Sequence, residues 1–195
     1  MISYIEGSIQ ELTPTYIILD CNGMGYLLNI SLTTFSKLES NSDNKIKLFT
    51  HLHIREDAHT FYGFFAQEER KIFRLLLSVS GVGASTSMMI LSSLNSFEIS
   101  QAIALEDINT LKSIKGIGLK SAQRIIIDLK DKIQDINTKE NNFSDNHNIN
   151  KKQALSALET LGFSAKQSNK ILDQILAENP SISVEELIKL SLKNF

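Results

Sequence analysis

The stretches Ser80-Gly81-Val82-Gly83 and Lys115-Gly116-Ile117-Gly118, here called hairpin one and hairpin two, each stand between two apolar segments with helical spacing. Glycine tolerates the positive φ angles that point successive backbone N–H groups in one direction. A helix that begins directly after such a turn leaves its first N–H groups unpaired and carries partial positive charge there. A phosphate fits such a site. We therefore interpret the repeated turn as two grips on a nucleic-acid backbone, with two purely steric helix–helix turns as the alternative.

The cations near the two hairpins differ. Lys120 and Arg124 follow hairpin two at a spacing of four residues, which places them on one helix face. Hairpin one continues into Ala84 and Ser85 without a nearby cation, so its binding would use N–H groups and hydroxyls. The segment from Gly116 to Ser121 differs from a P-loop, because that motif needs four residues between its glycines and ends in Gly-Lys-Ser or Gly-Lys-Thr. ATP hydrolysis is therefore not expected.

The composition limits how nucleic acid could be held. The 195 residues carry a formal net charge of −2 and have a pI of about 6.1, so binding cannot use a general positive field. We expect a cytoplasmic protein, because the start of the chain lacks the features of a signal peptide and no apolar run would span a membrane. The single Cys21 excludes an internal disulfide framework and fits a reducing compartment.

Residues 1–65 carry a β pattern. Five runs rich in β-branched and aromatic residues are separated by turn signals, and a short helix is expected at Thr34–Leu38. Five short strands favour a small closed barrel of the OB type. The predicted strands are Tyr4–Ile9, Tyr16–Asp20, Tyr26–Ser31, Ile46–Ile54 and Thr60–Phe65.

Residues 66–133 carry a helical pattern from Gln67 onward, with Asp107 as an expected N-cap. The further helices are predicted at Ala84–Leu94, Ser96–Leu105, Ile108–Ser113 and Leu119–Ile133. The polar, Asn-rich residues 134–150 predict a flexible linker.

Residues 151–195 predict three short helices. Ser164 with Gln167, and Ser183 with Glu186, have the spacing of capping boxes. The fold class is therefore a multidomain α+β protein with a barrel, an all-helical domain and a small three-helix domain.

Two other clusters were weighed. The acidic residues Glu56 and Asp57 stand at the turn between two apolar strands, as a solvated hairpin tip or as an acidic point facing a ligand. His51, His53 and His59 lack the cysteines or ordered carboxylates that would complete a metal site, so no metal is expected.

Together these segments resemble the RuvA family, whose members bind Holliday junctions. The resemblance covers essentially the whole chain and is most specific in three places. These are His53–Ala58 with Phe61–Phe64, Ser80–Gly83, and Lys115–Arg124.

The resemblance implies a homotetramer that holds a four-way DNA junction, either as one tetramer or as two face to face. Glu56 and Asp57 would form an acidic pin near the junction centre. The DNA-binding residues would be Arg55, Ser80, Gly81, Val82, Gly83, Ser85, Lys115, Gly116, Ile117, Gly118, Lys120, Ser121 and Arg124. Family members usually have Pro-Lys after hairpin one, where this chain has Ala84-Ser85.

The resemblance also implies partners and a pathway. Residues 151–195 would dock on the RuvB ATPase, and the RuvC resolvase would be a further partner. The chain itself would be non-catalytic, would need no cofactor, and would serve recombination, DNA repair and the SOS response.

Two other function classes were considered. A helix–hairpin–helix glycosylase or nuclease would need a catalytic Lys or Asp just beyond a hairpin, and Lys120 is the nearby candidate. A protein-interaction adaptor is the other, because Leu161-Gly162-Phe163 resembles the first loop of ubiquitin-associated domains.

Overall fold

The computed structural model describes most of the chain, namely residues 2–41, 43, 45–141, 146–179 and 182–195. The chain divides into two compact units. Unit one is Met1–Gln134 and unit two is Asp135–Phe195. None of the described helices is long and apolar enough to cross a membrane.

Unit one begins with a closed five-stranded barrel, which confirms the predicted OB-type architecture. The strands follow each other around the barrel in the order β1-β2-β3-β5-β4, and β3 pairs with β5 in parallel while the other pairs are antiparallel. The elements are β1 (Tyr4–Leu12), β2 (Tyr16–Asp20), β3 (Gly25–Ile30), α1 (Leu32–Glu39), β4 (Ile46–Ile54) and β5 (His59–Phe64).

The barrel closes because its strands alternate apolar and polar residues with period two. The inward side chains of β2, β3 and β4 are fully buried and include Ile17, Leu19, Leu28 and Leu48. Helix α1 covers this core with Leu38. The strand β1 runs three residues beyond its predicted end, through an irregularity in its pairing with β2 between Ile9 and Glu11.

Five helices, the last of which continues past Gln134, complete unit one and surround a second hydrophobic core. As predicted, Asp107 caps one of them by accepting a hydrogen bond from the Thr110 N–H at 3.1 Å. Asn95 and Glu98 form a full capping box, which was not predicted. The helices are α2 (Gln67–Leu77), α3 (Ala84–Ser93), α4 (Ser96–Ala104), α5 (Ile108–Lys112) and α6 (Leu119–Asn141).

A buried seam joins the barrel to the helices. The rings of Phe64, at the end of β5, and Phe73, on α2, lie 5.0 Å apart between centroids. Beside them the Glu69 carboxylate is buried and accepts hydrogen bonds from the Ser31 hydroxyl and, at 2.7 Å, from the Thr34 hydroxyl. The barrel and the helices therefore belong to one unit.

Helix α6 is longer than the sequence pattern indicates. It continues to Asn141, and the next helix begins at Asn146, so helical backbone occupies parts of the segment 134–150 that was predicted to be a linker. The segment from Leu119 to Leu161 contains neither Gly nor Pro, so nothing in the sequence enforces a stop. The flexibility of this segment stays a prediction.

Unit two is a three-helix fold with its own core. Its helices are α7 (Asn146–Thr160), α8 (Ala165–Glu178) and α9 (Val184–Lys193). Ser164 and Ser183 cap α8 and α9, each by accepting the backbone N–H three residues later, which is the serine half of the predicted capping boxes. Gly162 turns the chain between α7 and α8 with a φ of +96°.

Glu69 makes the stability of unit one depend on pH. Burial raises the pKa of the Glu69 carboxyl above its usual range, although the hydroxyl bonds and Lys37 oppose the shift. A raised native pKa means that the stabilisation is fully present below the unfolded-state pKa and is lost as pH rises through the native pKa. We expect the free energy of unfolding, measured by urea denaturation, to fall as the pH rises from the pKa of Glu69 in the unfolded chain to its raised pKa in the native protein.

The substitution Glu69→Gln should flatten this dependence, because it removes the ionisable group and keeps the shape. Glu69→Ala should cost about 1–3 kcal/mol by leaving buried hydroxyls unpaired. The exposed neighbour Glu68 gives the matched control, since Glu68→Gln should leave the profile unchanged. An identical pH profile for the Glu69→Gln and wild-type proteins would contradict the assignment.

Candidate nucleic-acid interface

The two hairpins have the same backbone conformation. The first glycine of each has a positive φ, +85° at Gly81 and +90° at Gly116. A residue with a Cβ would be sterically strained at this positive φ, so the turn itself requires glycine. Two turns of one conformation, each leading into a helix, form the tandem helix–hairpin–helix arrangement that the sequence predicted.

Val82 and Ile117 anchor the two hairpins in the helical core. Both side chains lie in the helical core. The Val82 N–H donates to the Val79 carbonyl at 3.0 Å, and the Ile117 N–H donates to the Ile114 carbonyl at 3.1 Å. Both residues were predicted from the sequence to contact DNA. Their contact with DNA stays a prediction, and the structure shows buried side chains and N–H groups that are paired within the turn.

Gly83 and Gly118 end the hairpins and have a different reason to be glycine. Neither has a positive φ, and a Cβ built on either would meet no atom of the chain within 4 Å. Neither the backbone conformation nor the packing of this chain therefore requires glycine there. Without a Cβ at these two positions, a ligand in solvent can approach the backbone closely.

The helices that follow begin with free N–H groups. Gly83 is the N-cap of α3 and supplies no side-chain hydrogen bond. In α6 the first helical bond runs from the Ala122 N–H to the Gly118 carbonyl at 2.9 Å. Helices α1, α4, α5, α8 and α9 instead carry a polar N-cap side chain, whereas α2, which follows Ala66, also lacks one. The hairpin helices thus present unpaired donors and the positive end of the dipole.

The polar side chains proposed for DNA binding surround these turns. Lys115 and Lys120 are exposed beside hairpin two, and Ser121 is half-buried there. Ser80 and Ser85 are exposed at hairpin one. These five residues lie within or beside the two turns, and their contact with DNA stays a prediction.

Arg124 is placed differently from the sequence interpretation. It belongs to the helix after hairpin two, yet its Nη1 donates to the Ser80 carbonyl of hairpin one at 3.1 Å. No local sequence signal identifies this contact, because the two residues are far apart in the chain.

The acidic turn forms the tip of the β4–β5 hairpin. The Arg55 N–H donates to the Ala58 carbonyl at 2.8 Å and closes the turn, which leaves Glu56 and Asp57 exposed at its end. The Arg55 Nε lies 3.8 Å from the Asp57 Oδ1, and both side chains are mostly exposed. This tip is an acidic projection with one partly compensating cation.

The histidines on β4 pack as aromatic residues. The rings of His51 and Phe73 lie 5.3 Å apart between centroids, edge to face. Burial lowers the pKa of His51, and the charges of Arg74, His53 and Arg70 lower it further. Within the described ranges, no three His, Cys, Asp or Glu side chains gather as a metal-ligand set.

The comparisons with known proteins agree with this architecture. Three family models match in sequence order: the RuvA N terminal domain over residues 1–63, the SAM-like helix-hairpin-helix tandem over residues 73–131, and the RuvA C-terminal domain over residues 150–194.

Full-length relatives match as well. The chain is 49% identical to a protein of Christiangramia forsetii over 99% of both chains, and 47% identical to one of Flavobacterium psychrophilum over 100% of both. A Bacteroides thetaiotaomicron protein is 44% identical over 99% of both chains. Each of these relatives is named a Holliday junction branch migration complex subunit RuvA. With this identity over the full length, a barrel, a tandem of hairpins and a three-helix unit in the same order, the chain belongs to the RuvA family.

Proposed function

We propose that this protein binds four-way DNA junctions as a homotetramer and positions the RuvB ATPase for branch migration in recombination and repair. The observation that carries the proposal is the pair of hairpins with one backbone geometry, in a chain whose full-length relatives are named as subunits of the branch migration complex. In this role it acts in the cytoplasm beside the RuvC resolvase and performs no catalysis of its own.

The hairpins suit backbone phosphates and not bases. Their donors are N–H groups at the starts of α3 and α6, which favour anions, and the open positions at Gly83 and Gly118 allow a close approach. Contacts of this kind carry no sequence information. A protein that grips only backbone can recognise DNA by the arrangement of its arms, which is what a junction offers.

Exposed apolar side chains support assembly into a tetramer. Phe97 and Leu105 on the α4 side of unit one, and Ile127 on α6, are 73%, 70% and 77% exposed. Large exposed apolar groups are what subunit interfaces cover. Assembly would also multiply the hairpins, which compensates for a chain that lacks an overall positive charge.

Unit two offers a surface suited to protein docking. Leu161 is 59% exposed at the turn after α7, and the ring of the next aromatic residue, Phe163, stacks on Phe195 at 4.0 Å. Its basic and acidic residues are interspersed, and the helix after Gly162 begins with a capping Ser164 side chain, unlike the helices after the two hairpins. We assign unit two to the ATPase and unit one to DNA.

The direct test compares binding of a four-way junction with binding of a linear duplex of the same total length, by gel shift at fixed salt. We expect the junction to bind more tightly and the bound protein to be tetrameric by light scattering. Equal affinity for the two DNAs would contradict the proposed function.

The hairpin grip predicts a defined loss for Lys120→Ala. This side chain is exposed beside hairpin two, so its removal should cost one phosphate contact. The junction should bind more weakly, and the slope of log K against log salt should become shallower by about one. Lys132→Ala, which removes an exposed cation farther along α6, is the matched control and should leave the slope unchanged. An unaltered slope for Lys120→Ala would exclude the contact.

The acidic pin predicts a gain of affinity with a loss of discrimination. Carboxylates near phosphates repel them, so the double variant Glu56→Gln/Asp57→Asn should bind both junction and duplex several-fold more tightly. The ratio of junction affinity to duplex affinity should fall, because the carboxylates repel a duplex, whose strands stay paired, more than a junction, whose strands separate at its centre. Weaker junction binding by a folded, tetrameric double variant would show that the pin assignment is wrong.

The division of labour predicts separable activities. A chain that ends at Asn141 keeps the whole of α6, the hairpins and the barrel. It should form the tetramer and shift a junction with wild-type affinity, yet fail to stimulate the ATPase in a branch-migration assay. Full branch migration by the truncated chain would refute the role given to unit two.

A further inference from the structure

The contact between Arg124 and Ser80 links the two hairpins within one chain. The Arg124 Nη1 donates to the Ser80 carbonyl at 3.1 Å and lies 3.9 Å from where a Cβ on Gly81 would stand. Arg124 itself remains exposed. Its guanidinium has five N–H donors in a rigid fork, so the bond to Ser80 leaves others directed to solvent at the edge of hairpin one.

Hairpin one needs a charge that its own helix does not provide. After Gly83 the chain continues with Ala84 and Ser85, and α3 carries no basic residue. Hairpin two, by contrast, is followed at once by Lys120. Two turns of equal geometry would therefore attract phosphate unequally if each relied on its own helix.

We propose, on the basis of the function proposed above, that Arg124 is the cation of hairpin one. Its Nη1 donates to the Ser80 carbonyl, and its remaining N–H donors bind a phosphate at the N-terminus of α3. The residue thus both positions hairpin one and contributes its charge. Lys120 serves hairpin two alone, and the two grips share the cations of a single helix.

The test is a double-mutant cycle on junction affinity with Ser85→Lys, which places a cation directly on α3. If Arg124 serves hairpin one, Ser85→Lys should raise the affinity of the Arg124→Ala chain by a larger factor than that of the wild-type chain. It should also restore the unit of salt slope that Arg124→Ala loses. The matched cycle of Ser85→Lys with Lys120→Ala should be additive, because Lys120 belongs to the other hairpin.

A second measurement needs no DNA. Amide hydrogen exchange in the free protein should become faster in residues 78–83 of the Arg124→Ala chain, while residues 113–118 keep their protection. Unchanged exchange in the first segment would overturn the positioning role. Additive cycles with both Arg124 and Lys120 would overturn the sharing of cations. Neither of these two outcomes depends on whether the protein prefers a junction to a duplex. If the wild-type chain showed no such preference, the proposed function would be rejected instead.

Discussion

The buried seam between the barrel and α2 is the constraint on which the rest of unit one depends. Phe64, at the end of the barrel strand β5, is a member of the helical core and packs on Phe73, so the helical core is completed by a residue of the barrel. Glu69 adds a hydrogen-bonded link to the start of α1. Burying a carboxylate costs free energy unless its hydrogen bonds are made, so the two hydroxyl partners of Glu69 favour one alignment of the barrel and α2. The acidic tip and the hairpins both lie within this compact unit.

The hairpins separate geometry from charge. The shape of each turn comes from a positive-φ glycine and a buried anchor, Val82 or Ile117, and these components are the same in both. The cations come from side chains that need not be local, as Arg124 shows. A turn can thus lose its neighbouring lysine and keep its function if another element of the same tandem reaches it.

Much of this architecture follows from local sequence. The bounds predicted for β2 and β4 agree with the structure, since period-two alternation and turn residues define them. The end of α6 was predicted too early, because a polar stretch without Gly or Pro gives no stop signal. The buried Glu69 shares a helix face with Ile72 and Phe73, a spacing that could have identified it. The partner of Arg124 could not be predicted, since it lies across the tertiary fold.

The anchoring of both hairpins in the core has a thermodynamic consequence. Because Val82 and Ile117 are part of the packed interior, the turns cannot loosen without disturbing unit one. A ligand that binds only the folded turns therefore adds its binding free energy to the melting equilibrium, about 2.7 kcal/mol when its concentration is one hundred times Kd. Unit two, with a separate core around Leu172, receives none of it. A ligand bound to the turns therefore raises the melting temperature of unit one and leaves that of unit two unchanged.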